Sequence, residues 1–190
     1  MNSDKELAKR KIIRIKNYDY SSRGAYLITI CTDSRKQLLS QICMMDANNQ
    51  ESVGDGALDI PPRSKHKPKV TLTPIGKIVE KYLLSSENIP GVKIDSYVVM
   101  PDHIHAIIIL TPDKYNTIGN GMSRAPSPTN HMIPHIVSTF KRFCNKEIGY
   151  NIFQRSYYEH IIRDKEDYET RRKYLYENPL RWYYNDHNDK

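Results

Sequence analysis

The chain has 190 residues, enough for one domain with a real hydrophobic core and too few for two comfortable ones, so residues 1–190 read as a single domain. Its 29 Lys and Arg against 22 Asp and Glu leave a formal charge of +7, which favours a polyanionic partner over an acidic one. No stretch approaches the roughly 18 apolar residues of a membrane span, and the start Asp4-Lys5-Glu6 leads into no signal-type apolar run, so a cytoplasmic protein without a membrane partner is expected. Three cysteines, Cys31, Cys43 and Cys144, are odd in number and widely spaced, and read as reduced thiols rather than a zinc or redox pair. Fourteen tyrosines against three phenylalanines and one tryptophan supply many flat faces whose hydroxyls stay wet.

In chain order, a polar leader and the segment Arg14 to Tyr20 end in a turn at Ser21 to Gly24, and Ala25 to Thr32 predicts a central strand rich in β-formers. Residues 46–69 mix Asp, Asn, Gly, Pro and Lys without periodicity and predict a loop insertion that adds nothing to the core. Ile75, Ile78, Val79, Tyr82 and Leu83 recur at three and four, and Thr73-Pro74 supplies an N-cap and a first-turn proline, predicting a helix from 74 to about 86. Val92 to Met100 and His103 to Leu110 form two β-runs joined tightly through Pro101-Asp102, and the unbroken Ile107 to Leu110 implies burial on both faces. Residues 111–130 read as a flexible linker. A helix over about Ile133 to Glu147 follows, with Ile136, Val137, Phe140 and either Phe143 or Cys144 on its apolar face. A last helix starts near Asp164 as cap and is expected to end near Asn178, because Pro179 follows.

Two features carry chemistry. His103 and His105 stand at i and i+2 on a strand, so both imidazoles share a face and can grip one divalent cation, with Ile104 anchoring the strand on the other side. On the last helix, Tyr168 and Leu175 form a core line, while Tyr174 lies off it with Asn178 one turn later and Arg171 on the same flank. That flank presents a nucleophile, a carbonyl oxygen for a metal, and a guanidinium for phosphate. Tyr176 projects to nearly the opposite side. A hairpin histidine pair and a half-exposed helix tyrosine are the bland alternatives for these residues taken singly.

Five phrases in order resemble the HUH single-tyrosine transposases, and in particular their REP-associated tyrosine transposase branch: Ile15 to Tyr20 with Ala25 to Thr32, Ile75 to Glu80, Tyr97 to His105, Gln154 to Arg163, and Tyr174 to Trp182. The resemblance covers most of the chain. It implies an α+β fold, a ferredoxin-like or RRM-like antiparallel sheet with helices packed on one face. It also implies that His103 and His105 are metal ligands and Tyr174 the catalytic tyrosine. Asn178 falls at the place of a third, oxygen-bearing ligand, with Glu177 another oxygen donor close by. Phe153 stands where relatives often carry Trp, and the segments 46–69 and 111–130 are long, departures that bear on DNA specificity more than on chemistry.

The implied activity is metal-dependent cutting and rejoining of single-stranded or hairpin DNA, using Mg2+ or Mn2+ and a 5′-phosphotyrosine intermediate, in a nucleoid-associated monomer or homodimer. Lys141, Arg142, Arg155, Arg163, Arg171 and Arg172 are candidates for holding phosphates, and Tyr157 and Tyr158 for stacking bases. Three rivals stand beside it: a domesticated DNA-binding protein that no longer cuts, a replication initiator or relaxase, and an RRM-type RNA-binding module. The chain lacks a P-loop for the second and an aromatic RNP1-like strand for the third.

Overall fold

The structure is a computed structural model that describes residues 24–45, 67–111 and 132–188. Its elements are strand β1 (Gly24–Cys31), a hairpin of β2 (Ser40–Met45) and β3 (Lys67–Leu72), helix α1 (Pro74–Ser85), strands β4 (Val92–Val99) and β5 (His103–Leu110), helix α2 (Met132–Ile148), strand β6 (Tyr158–Ile162) and helix α3 (Lys165–Asn188). The main sheet runs β4-β5-β1-β6, and every neighbouring pair is antiparallel. With the hairpin set aside, the chain reads β-α-β-β-α-β with its first strand between the third and the fourth, which is the ferredoxin-like arrangement expected.

Strand alternation divides the core. Tyr26, Ile28, Ile30, Ile104, Ala106 and Ile108 point to one face, where they meet Val79 and Leu83 of α1 and Ile133, Ile136, Val137, Phe140 and Cys144 of α2. Cys144, not Phe143, therefore completes the α2 stripe, and Phe143 is left 40% exposed. Leu27, Ile107 and Ile162 point the other way, against Leu175 of α3. The C-terminal helix thus lies across the sheet from the other two, and β5 is buried on both sides because each of its faces carries a helix.

The local signals hold where a cap or turn fixes the chain. Thr73 Oγ1 accepts from the Gly76 amide at 3.0 Å, and Asp164 Oδ1 accepts from the Asp167 amide at 2.8 Å, so both predicted caps form. A Cβ on Gly76 would come within 1.9 Å of the Leu39 carbonyl oxygen, so only glycine lets α1 start this close to the chain entering β2. The Pro101-Asp102 turn is clamped from outside. Thr32 donates to the Asp102 carbonyl from both its amide and its hydroxyl, and the Leu39 amide donates to the Pro101 carbonyl.

Two expectations are corrected. Residues 67–69, read as part of a loop, belong to β3 and pair with Met45, Met44 and Cys43, because a cross-strand partner supplies the order that their composition lacks. Helix α3 does not stop near Asn178 but runs through Pro179 to Asn188. Pro179 cannot donate to the Leu175 carbonyl, yet contacts on both sides of it hold the turn: Arg181 pairs with Glu177 at 2.9 Å, and Trp182 packs on His103. The segment Arg14 to Tyr20, the turn's first residues 21–23, residues 46–66 and the linker residues 112–130 lie outside the described residues.

Candidate active site

The site sits on the α3 side of the sheet, at the start of β5. His103 and His105 both project there, at 7% and 5% exposure, and their Nε2 atoms stand 3.1 Å apart. Each ring is held from behind. His103 Nδ1 lies 2.5 Å from Asp102 Oδ1, and His105 Nδ1 lies 2.7 Å from Thr29 Oγ1, its partner across β1. In the tautomers in which both Nδ1–H groups donate outward, to Asp102 and Thr29, the two Nε2 lone pairs face one point. Nitrogens 3.1 Å apart match adjacent corners of a coordination shell of about 2.1 Å radius, so the pair suits one divalent cation. Burial, then the neighbouring His103 and Arg35 charges, outweigh the pull of Asp102 and lower the His105 pKa to about 3. His105 is thus a neutral imidazole at physiological pH, the form a ligand requires.

Helix α3 brings the third group. The Tyr174 hydroxyl lies 3.3 Å from His105 Nε2, with the rings edge to face at 5.1 Å. Tyr176 is 40% exposed and has turned away, as helical geometry predicts. One turn beyond Tyr174, Asn178 is buried at 8% exposure, and a further turn on, the Trp182 ring lies 5.8 Å from that of His103. Tyr174, Asn178 and Trp182 therefore run down one flank of α3 across the histidine pair. Among the described residues no three His, Cys, Asp or Glu side chains gather to hold a metal. Asn178, an oxygen donor, lies on the same flank of α3 between two residues that touch the histidines. Glu177 is tied instead to Arg181 and Lys173.

The candidate DNA contacts divide. Tyr158, 53% exposed, pairs with Thr29 on the same face as the histidines, about 10 Å from His105 across two strand spacings. Tyr157 is half-buried, its hydroxyl 3.4 Å from Glu159. Arg171 is bound to Asp167 at 2.9 Å, Arg163 is exposed at the end of β6, and Arg172 is half-buried on the sheet-facing side of α3. Lys141 and Arg142 are on α2, across the sheet. The Lys141 ammonium is spent on the carbonyls of Gln154, Arg155 and Ser156, and burial lowers its pKa, so it acts as a clasp on the loop before β6. Arg142 lies over the Phe143 ring, and the Arg155 side chain is exposed in the clasped loop.

Three contributors escaped sequence reasoning. Asp102 reads in the sequence only as a turn residue, although an acid directly before the first histidine is a usable sign. Thr29 becomes legible only once β1 is set in register with β5. Arg35, 3.4 Å from Asp102 and reached through the left-handed residues Ser34 and Arg35, gave no local signal.

No protein-family profile matches the chain. An "Uncharacterized protein" of Haemophilus influenzae is 31% identical over 188 residues, spanning 91% of this chain and 89% of that protein. A second Haemophilus influenzae protein, described as "Putative REP-associated tyrosine transposase", is 28% identical over 83 residues, 44% of this chain and 47% of its own length. Among solved structures, a REP-associated tyrosine transposase bound to a REP hairpin aligns at a TM-score of 0.52 and 19% identity, over 88% of this chain and 73% of its own.

Proposed function

We propose that this chain is a member of the REP-associated tyrosine transposase family and acts as a metal-dependent single-stranded DNA endonuclease and strand transferase that works through a 5′-phosphotyrosine bond, a reading supported by the partial match to a relative so described and by the shared fold. The observation that carries the reading is the meeting of three groups from distant parts of the chain: the Tyr174 hydroxyl 3.3 Å from His105 Nε2, itself 3.1 Å from His103 Nε2. A tyrosine beside two converging imidazoles, with their outer nitrogens anchored by Asp102 and Thr29, is the equipment of phosphoryl transfer rather than of passive binding.

His103 and His105, with Asn178 as third donor, would hold Mg2+ or Mn2+, which when bound withdraws charge from the scissile phosphate. The protein's own part is geometric. Asp102 and Thr29 fix the imidazoles, and α3 aims the Tyr174 oxygen at the same point. The Tyr174 oxygen attacks phosphorus as its proton leaves, the bond to the 3′ oxygen breaks, and that oxygen takes up a proton as a 3′-hydroxyl. The phosphotyrosine bond keeps the energy of the broken link, so rejoining needs no nucleotide. Tyr158 on the same sheet face supplies a stacking surface for a base, and the exposed Arg163 lies at the end of the same strand. A single strand is required because a paired base would hold its backbone away from a site pressed between sheet and helix.

The test is labelled hairpin-bearing single-stranded DNA incubated with the protein and Mg2+ or Mn2+, then resolved on a denaturing gel. A covalent adduct is expected from wild type and none from Tyr174→Phe. An equal adduct from both would sink the nucleophile, and cleavage that survives His103→Ala with His105→Ala would sink the metal site. If wild type binds the DNA and forms no adduct under any divalent cation, the domesticated binding protein is the better reading.

A further inference from the structure

We propose that Trp182 is a nucleobase-stacking residue, the subsite that holds the base next to the phosphate presented to Tyr174; the inference rests on the DNA-cleaving reading above. Trp182 is the chain's single tryptophan, and such a side chain in a small domain normally joins the core. This one does not. It belongs to neither apolar cluster, it is half-buried, and its ring neighbour among the described residues is His103, at 5.8 Å and a 51° tilt. A large indole placed at a polar site with part of its surface open can take a second flat ring.

The helix gives it the right distance. Eight residues separate Trp182 from Tyr174, about 12 Å along α3, and both face the histidine pair from opposite ends of it. A phosphate lying between Tyr174 and the imidazoles places its neighbouring base beyond His103, where the indole stands. Tyr158 lies to the side, beyond Thr29 across the strands. A strand threaded through the site thus meets one aromatic surface at His103 and can turn towards another beyond Thr29. The continuation of α3 through Pro179 acquires a purpose in this arrangement, because a helix that ended at Asn178 would carry no Trp182 to the site.

The single tryptophan makes the test direct. In the Tyr174→Phe background, which prevents cutting, the protein is titrated with a thymidine homopolymer and with a base-free deoxyribose-phosphate chain of the same length. Expected results are quenching of the tryptophan emission by the homopolymer and not by the base-free chain. Added Trp182→Ala is expected to weaken homopolymer binding about tenfold or more, added Trp182→Phe to restore most of it, and neither to change affinity for the base-free chain. Homopolymer binding without a change in emission, or equal affinities for the Ala and Phe variants, overturns the proposal. So does an equal loss for both polymers in Trp182→Ala, which marks Trp182 as a strut of α3. If neither polymer binds but an adduct still forms on hairpin DNA, the stacking subsite fails and the cleaving reading stands; if DNA of no kind is bound or cut, both fail.

Discussion

The two faces of the sheet are built on different terms. Among the described residues, twenty-two buried ones form one apolar cluster beneath α1 and α2, whereas beneath α3 only Leu27, Ile107, Ile162 and Leu175 are buried together. What holds α3 there includes polar and ring contacts: Tyr168 donates to Asp95 at 2.8 Å, His160 meets Asp167 at 2.8 Å, and Tyr174 and Trp182 rest on the histidines. One face carries most of the apolar core and the other the proposed site. On the proposed reading this division is expected, because a site that is to admit a charged strand cannot also be sealed by a thick apolar layer.

Substitutions on each face should separate these roles. Tyr174→Phe has the largest expected effect, a loss of at least about 10³-fold in cleavage with no change in melting temperature. Phe140→Ala, on the two-helix face, is expected to cost about 3–5 kcal/mol in denaturant unfolding, and Leu175→Ala on the other face about 2 kcal/mol. Equal costs would mean that α3 is as deeply built in as α2. Asp102→Asn keeps the shape but not the charge behind His103; metal affinity measured by titration calorimetry should fall about 10- to 100-fold while unfolding barely moves.

The smallest effect concerns the pin on α3. Burial pushes the Asp167 carboxyl up, but hydrogen bonds from His160 and Arg171 outweigh it and the net pKa is below the ordinary 3.8. A carboxyl depressed in the folded state stabilises it above the unfolded pKa and loses that contribution as pH falls through the folded value. The melting-temperature difference between wild type and Asp167→Ala should therefore be steady near neutrality and shrink below pH 3.8. A difference that grows on acidification would show that the carboxylate does not pin α3.

Much of this was legible in advance where the signal is local. The Thr73 and Asp164 caps, the Pro101-Asp102 turn and the alternation through β5 follow from side chains acting on their own backbone, and helical steps alone separate Tyr174 from Tyr176. Other features were hidden because their causes are distant in sequence. Lys67 to Lys69 have poor strand composition and become β3 only through pairing with β2. Pro179 is a helix breaker by every local rule and sits inside α3 because Trp182 and Arg181 make contacts beyond it. Lys141 reads as a phosphate ligand from its charge, and only the loop folding over it turns that ammonium into a clasp.

The sequence by itself determined most of the elements, the pairing of His103 with His105 on one strand face, and the separation of Tyr174 from Tyr176 on the last helix, because periodicity and spacing act within a few residues. That β1 lies beside β5, so that Thr29 steadies His105, and that α3 crosses the second face, so that Tyr174 reaches an imidazole 69 residues away in the chain, only the tertiary structure decided. Those contacts depend on how whole layers pack, which no local pattern encodes.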